Sequence, residues 1–247
     1  MVLWKLIKQD FKNLITTPVV VMACVIYPWL LLGLFGFVFS SLYGGEGITS
    51  YDYYGVTMMI YIIIMSITIT PNTFLEKKLR PGNIRIAYAP VPKISIYMSK
   101  ILSSYVFMII TVSINMSLMN YFGLVNFGGS NFVYILGLFW AFLLFTVTIG
   151  GAVCMIIKEE ELTNMILSDI GAVLALLSGM FFPVDSLGKV ISKVSNLSPI
   201  KWILDSSFNV IYDNNFENYN TIILGLIFLS IICLIVVHIN YKPEDYI

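Results

Sequence analysis

Long uncharged runs dominate the pattern of the chain. No Asp, Glu, Lys or Arg lies between positions 12 and 46, between 52 and 76, or between 100 and 158. A helix needs about 20 apolar residues to cross the hydrocarbon of a bilayer, and the last of these runs is long enough for two crossings. With the apolar stretches nearer the carboxyl end, the pattern predicts six spans at 19–42, 53–74, 98–122, 132–157, 163–182 and 219–240. Residues 2–16 read differently: at 100° per residue, Leu3, Trp4, Ile7, Phe11, Leu14 and Ile15 share one face opposite Lys5, Gln9, Lys12, Asn13 and Thr16. This is an amphipathic helix with a basic polar face, suited to the membrane interface, and Thr17-Pro18 separates it from the first span. Between the fifth and sixth spans, Leu187, Val190, Ile191, Val194 and Leu197 recur at helical spacing, and a second short apolar piece follows Pro199. Two short re-entrant helices at the outer leaflet fit that pattern.

The predicted fold class is therefore an all-α integral membrane protein, a single domain over 1–247. Its parts are an interfacial helix at 1–17, a cytoplasmic loop at 74–96 and an outer re-entrant segment at 183–218. The first apolar stretch is longer than a cleavable signal core, so it is expected to be retained.

Composition agrees: 58% of the 247 residues are hydrophobic, 11% are charged and the mean hydropathy is +0.88, against roughly 25% charged residues in a soluble domain. Net charge is zero, so no global field attracts nucleic acid. The position of the cations is more informative. With the amino terminus inside, cytoplasmic segments hold Lys5, Lys8, Lys12, Lys77, Lys78, Arg80, Arg85, Lys93, Lys100, Lys158 and Lys242, whereas outer segments hold only Lys189, Lys193 and Lys201. The positive-inside bias thus predicts both ends in the cytoplasm. Cys24, Cys154 and Cys233 fall inside predicted spans without metal spacing, and indicate neither a disulfide framework nor a metal site.

Few residues carry candidate chemistry. No GxxxxGK[ST] loop is present, so the chain cannot hydrolyse ATP alone, and the single histidine, His238, has no acid or cysteine near it in sequence. The loop at 74–96 is broken by Pro81-Gly82 and by Pro90 and Pro92. Its mixture of Ile84, Ile86 and Tyr88 with Arg80 and Arg85 suits a docking surface; the alternative is a charge run that only sets topology. Glu159, Glu160 and Glu161 link the fourth and fifth spans and are placed either to cap the next helix or to meet a basic partner. Asp169 is the acid inside a span, a costly position that marks a functional candidate or a bond to a neighbouring helix. Gly171, Ala175 and Gly179 follow small-xxx-small spacing, which favours a packing or dimer face.

Two stretches resemble the ABC-2 permease family, the membrane subunits of type-2 ABC exporters. EKKLRPGNIRIAYAPVPKISIYMSKIL at 76–102 is similar to that family's charged loop, central glycine, proline before the third span and lysine in its first turns. LSGMFFPVDSLGKVISKVSNLSPIKWILDSSFNVI at 177–211 is similar to its small-residue pair, aromatic-proline exit, amphipathic helix and proline-containing re-entrant segment. Gly188 departs from the pattern, since many relatives carry a second proline there.

The resemblance implies two permease copies, identical or related, around a central pathway in a cytoplasmic membrane of bacterial type. Each copy docks one ATP-binding cassette ATPase subunit, which holds the ATP and magnesium. The loop around Glu76, Lys77, Arg80, Gly82 and Arg85 would be the coupling helix, with the amino-terminal helix and the Glu159, Glu160, Glu161 turn as secondary contacts. The first, second and fifth spans would line the pathway. Tyr27, Trp29, Phe35, Tyr61, Phe181 and Phe182 populate those spans, with Asp169, and the near absence of charge predicts an apolar or amphipathic cargo. The expected function is export of hydrophobic drugs or antimicrobial peptides. Alternatives are export of a lipid-linked polysaccharide or teichoic-type polymer and, less favoured, ion-coupled secondary transport, which usually shows interrupted spans in repeated halves.

Overall fold

In the computed structural model, residues 2–41, 47–181, 195 and 198–242 are described, and every regular element among them is helical. In chain order the described helices are α1 (Val2–Thr16), α2 (Pro18–Val38), α3 (Ser50–Leu75), α4 (Arg80–Tyr88), α5 (Lys93–Tyr121), α6 (Phe132–Ile157), α7 (Glu160–Leu177), α8 (Pro199–Tyr212) and α9 (Tyr219–Asn240). Five of them, α2, α3, α5, α6 with the turn Gly129–Asn131 ahead of it, and α9, are long and apolar enough to cross a membrane. The predicted fifth span corresponds to α7, whose 18 residues include Glu160, Glu161 and Asp169 and which is not among those five. The first of the two predicted re-entrant helices lies outside the described residues; the second corresponds to α8.

Burial decides which helix is central. About two thirds (67%) of the α3 apolar window is buried, against 28% for α2 and 17% for α9. Around α9 the exposed side chains are Leu224, Phe228, Ile231, Ile235 and Ile239, the surface expected of a helix facing lipid rather than water. It packs chiefly on α6, while α1 packs on α5 and α2 on α3.

Two prolines shape α2 and α3 by the same chemistry. A proline inside a helix has no N–H for the carbonyl four residues back, and its ring crowds that carbonyl. Pro28 cannot serve the carbonyl of Cys24, and α2 widens into a π-helical turn over Met22–Ile26. The Asn115 side chain of α5 donates to that carbonyl at 2.8 Å, and Trp29 Nε1 donates to Asn115 Oδ1 at 2.9 Å. Pro71 likewise cannot serve Ile67, and α3 tightens into a 3-10 turn over Ser66–Thr68. The Ile67 carbonyl instead lies against α6 at Gly150, where a Cβ would stand 2.1 Å from the oxygen. Only glycine permits that approach.

The turns sort to two ends of the bundle. At one end Tyr97 of α5 hydrogen-bonds His238 of α9 at 2.9 Å, and Phe74 and Tyr97 meet Tyr241. The amino-terminal helix, the end of α3, α4 and the α6–α7 turn are there too. At the other end, Thr49 and Asp52 form a reciprocal capping box at the start of α3, and the free Asp52 oxygen accepts from Asn126 N at 2.6 Å. Asn131 reaches Val210 O and Asn214 at the same end. Since α1 and Tyr241 lie at one end, the chain begins and finishes its described course on the same side of the bundle.

Candidate functional site

At the end that holds α1 and Tyr241, α3 stops at Leu75 and residues 77–79 turn the chain into α4, where Arg80-Pro81 occupies the first positions that need no N–H partner. Opposite, Lys158 ends α6 in the left-handed conformation (φ 62°), and Glu160 and Glu161 open α7, where the helix dipole favours carboxylates. The two turns meet. Lys77 Nζ donates to Glu161 Oε1 at 3.1 Å, and Phe74, Leu75, Arg80, Lys158, Glu159 and Glu160 complete a cavity of about 350 Å³ between them.

The hydrogen bond to Glu161 holds the Lys77 ammonium above its usual range. Partial burial, then Glu76 beside it, push the Glu160 carboxyl up. Both side chains of the Lys77–Glu161 pair are largely exposed, at 86% and 78%, so the pair adds little stability and remains open to another protein. Of the predicted contact residues, Lys77, Arg80, Glu159, Glu160 and Glu161 converge here, with Glu76 next to Glu160. Gly82 and Arg85 lie outside the cavity on the exposed face of α4, with Tyr88; a Cβ at Gly82 would meet nothing within 4 Å.

Sequence reasoning missed a buried polar cluster directly behind this surface. Lys100 Nζ donates to Thr73 O and to Asn83 Oδ1, both at 2.8 Å, and stands 3.7 Å from Asp10 Oδ1. Ser99 Oγ donates to Asp10 Oδ2 at 2.8 Å, and Asn83 Nδ2 to Phe74 O at 2.9 Å. Lys100 is 2% exposed and Asp10 6%. A signal was present: at 100° per residue Asp10 falls on the apolar face of α1, beside Leu3, Ile7 and Leu14, and an acid on an apolar face needs a partner.

Between α2, α3 and α7 a second cavity of about 260 Å³ has walls from Val19, Tyr27, Ile62 and Met65 and polar spots at Ser66, Asn72 and Ser168. Asn164 Nδ2 donates to Asn72 Oδ1 at 2.6 Å at its edge. Of the predicted pathway residues, Tyr27 lines this space. Trp29 turns toward α5 and Phe122 instead, drawn by Asn115. Phe35 and Tyr61 both pack on Phe181, at ring separations of 5.8 and 5.5 Å, and Tyr54 donates to the Phe181 carbonyl. Phe182 lies outside the described residues. Asp169 is exposed on α7 and bonds no other described residue.

The small residues of α7 are used within the chain. A Cβ at Gly171 would stand 2.9 Å from Ile64 Cγ2 of α3, and Ala175 is fully buried. Gly179 lies past the helix end at φ 83°, a left-handed position that ends many helices, and its carbonyl accepts from the Tyr53 hydroxyl at 2.7 Å. Among the described residues, no group of three or more His, Cys, Asp or Glu is placed to hold a metal ion.

No curated protein matches the chain. A model of the family described as ABC-2 type transporter matches residues 1–212, from the amino-terminal helix to the end of α8. Apolar helices of membrane-spanning length, a charged surface gathered at one end and that match lead to one assignment: the chain belongs to the ABC-2 type transporter family and is a multi-pass transmembrane permease component, not the ATP-hydrolysing subunit.

Proposed function

We propose that this chain is the permease of an ATP-driven exporter of hydrophobic drugs or amphipathic peptides, working as a pair of permease copies with an ATPase subunit on each. Its place is the cytoplasmic membrane of a bacterial cell, with both chain ends inside. The observation that carries the proposal is the convergence of Lys77 and Arg80 with Glu159, Glu160 and Glu161 around one cavity. Two loops more than 70 residues apart in sequence form a single mixed-charge surface that an ATPase subunit can grip. The exposed Arg85 and Tyr88 of α4 extend it.

In this reading α7 is a sixth crossing. It runs from Glu161, beside Lys77 at the inner end, to Gly179, beside Tyr53 at the outer end. Its 18 residues span about 27 Å at 1.5 Å per residue, close to the roughly 30 Å of hydrocarbon. An even number of crossings also agrees with α1 and Tyr241 lying on one side of the bundle. The α2–α3–α7 cavity, apolar but for a few hydroxyl and amide groups, suits an amphipathic cargo better than an ion or a sugar phosphate. The Phe35, Tyr61 and Phe181 rings above it serve as the outer constriction, and α8 as the re-entrant lid. ATP must favour one of two arrangements of the pair for the cargo to move.

Co-purification with an ATPase subunit, followed by ATPase assays with and without cargo, tests the coupling surface. Charge reversal at Arg80 and Arg85 is expected to weaken assembly or cargo-stimulated hydrolysis while the permease itself stays folded. Unchanged assembly and unchanged stimulation would sink the assignment. Sensitivity of cells lacking the protein to a panel of peptides, drugs and cell-wall agents then identifies the cargo class.

A further inference from the structure

The buried cluster around Lys100 joins elements that are separate in sequence. Asp10 comes from the interfacial helix α1, Thr73 and Phe74 from the end of α3, Asn83 from α4, and Ser99 and Lys100 from the start of α5. An ammonium has three protons to place. Two go to Thr73 O and Asn83 Oδ1, and the third side of the group faces the Asp10 carboxylate. Its remaining surface lies over the Phe74 ring, with 5.7 Å from Nζ to the centroid.

Burial makes these contacts interdependent. Asn83 is 8% exposed, and its amide group is used at both ends, accepting from Lys100 and donating to Phe74 O. Asp10 has Ser99 and Lys100 as partners and little access to water. If α4 lifts away, Lys100 loses one of its two short acceptors. If α1 lifts away, a buried cation loses the one carboxylate within 4 Å of it among the described residues. Either event leaves a desolvated charge short of partners, which is far more costly than losing an exposed pair. The Lys77–Glu161 pair in front of the cluster has no such leverage because water replaces either partner.

We infer that the Asp10–Lys100–Asn83 cluster is a mechanical joint that locks the interfacial helix α1 and the loop helix α4 to each other through the inner end of α5, so that the two move as one body. Lys100 is then a positioning residue: it touches neither cargo nor nucleotide but fixes how displacement of α4 reaches α1. The inference rests on the coupling-loop reading only for its consequence in transport. The joint itself is a property of the permease alone.

The test is amide hydrogen exchange on the full chain in lipid nanodiscs, without an ATPase subunit, so that its outcome is independent of whether the charged surface docks one. Asp10→Asn and Asn83→Ala each alter one side of the joint. The expected result is reciprocal: Asp10→Asn speeds exchange in α4 as well as α1, and Asn83→Ala speeds it in α1 as well as α4. Loss of a hydrogen bond to a charged group predicts an increase of roughly ten- to a hundredfold where exchange proceeds by local opening. Lys12→Gln, on the exposed face of α1, is the control and should leave α4 unchanged. Exchange that rises only in the substituted helix overturns the inference. So does a uniform rise that includes α9, because the cluster would then merely support the whole bundle. Lys100→Met extends the series and is expected to loosen both helices at least as much as either single-sided variant.

Discussion

The contact made by Asn115 gives the sharpest test of how α2 is built. Asn115→Leu keeps a side chain of similar size but removes the donor to Cys24 O and the acceptor for Trp29 Nε1–H. Of the two partners, Cys24 is buried and Trp29 half-buried. Hydrogen bonds between membrane helices average about 0.6 kcal/mol and reach about 1.7, so the two together predict a loss of roughly 1–3 kcal/mol. Half of that is traceable to the carbonyl that Pro28 cannot serve. Placing Ala at 28 restores an N–H for Cys24 O, so Asn115→Leu should cost roughly 0.5–1.5 kcal/mol less in the Pro28→Ala background. Detergent-induced unfolding in mixed micelles, read by tryptophan fluorescence, measures all four corners of this cycle. Equal cost of Asn115→Leu in both backgrounds, within about 0.5 kcal/mol, would refute the claim that Asn115 is there to hold the proline-freed carbonyl.

Two further outcomes follow from the packing and the charged turn. Gly150→Ala would drive a Cβ to within 2.1 Å of the Ile67 carbonyl, whereas Gly151→Ala meets a Thr70 methyl at 3.3 Å; overpacking of backbone costs about 1–3 kcal/mol or more, so the same unfolding assay should rank Gly150→Ala well below Gly151→Ala. Burial raises the Glu160 carboxyl, so the folded state disfavours its charge. Glu160→Gln should therefore be more stable than the parent at neutral pH, and that advantage should disappear as pH falls through the raised folded value toward the ordinary value near 4.5. Unfolding midpoints at a series of pH values check the sign, and a Gln advantage that grows on acidification would contradict it.

Much of the architecture is legible from one dimension because the bilayer imposes it. The charge-free runs place α2, α3, α5, α6 and α9 within a few residues, since each must satisfy its backbone internally and present apolar side chains outward. The amphipathic period of residues 2–16 likewise marks α1, whereas Pro81-Gly82, read from the sequence as a break, lies inside the first turn of α4 and the chain turns just before it, at 77–79, because proline at a helix start needs no N–H partner. The charged loop and the three consecutive glutamates are also visible as candidates, each within its own segment.

What the sequence could not determine is which of these segments face each other. That Lys77 reaches Glu161, and not one of its nearer neighbours, follows from how α3 and α7 pack, as does the use of Gly171 against Ile64 within the chain. Trp29 belongs by position to a span predicted to line the pathway, yet a proline one residue earlier and an asparagine in α5 turn it away. Lys100 in the first turns of the third predicted span and Asp10 on the apolar face of α1 become a joint only because folding removes water from both and leaves each with the other's element as its partner. Hydropathy acts along the chain and so determines which segments can enter a membrane; pairing of polar groups acts across it, and only the tertiary structure decides those partners.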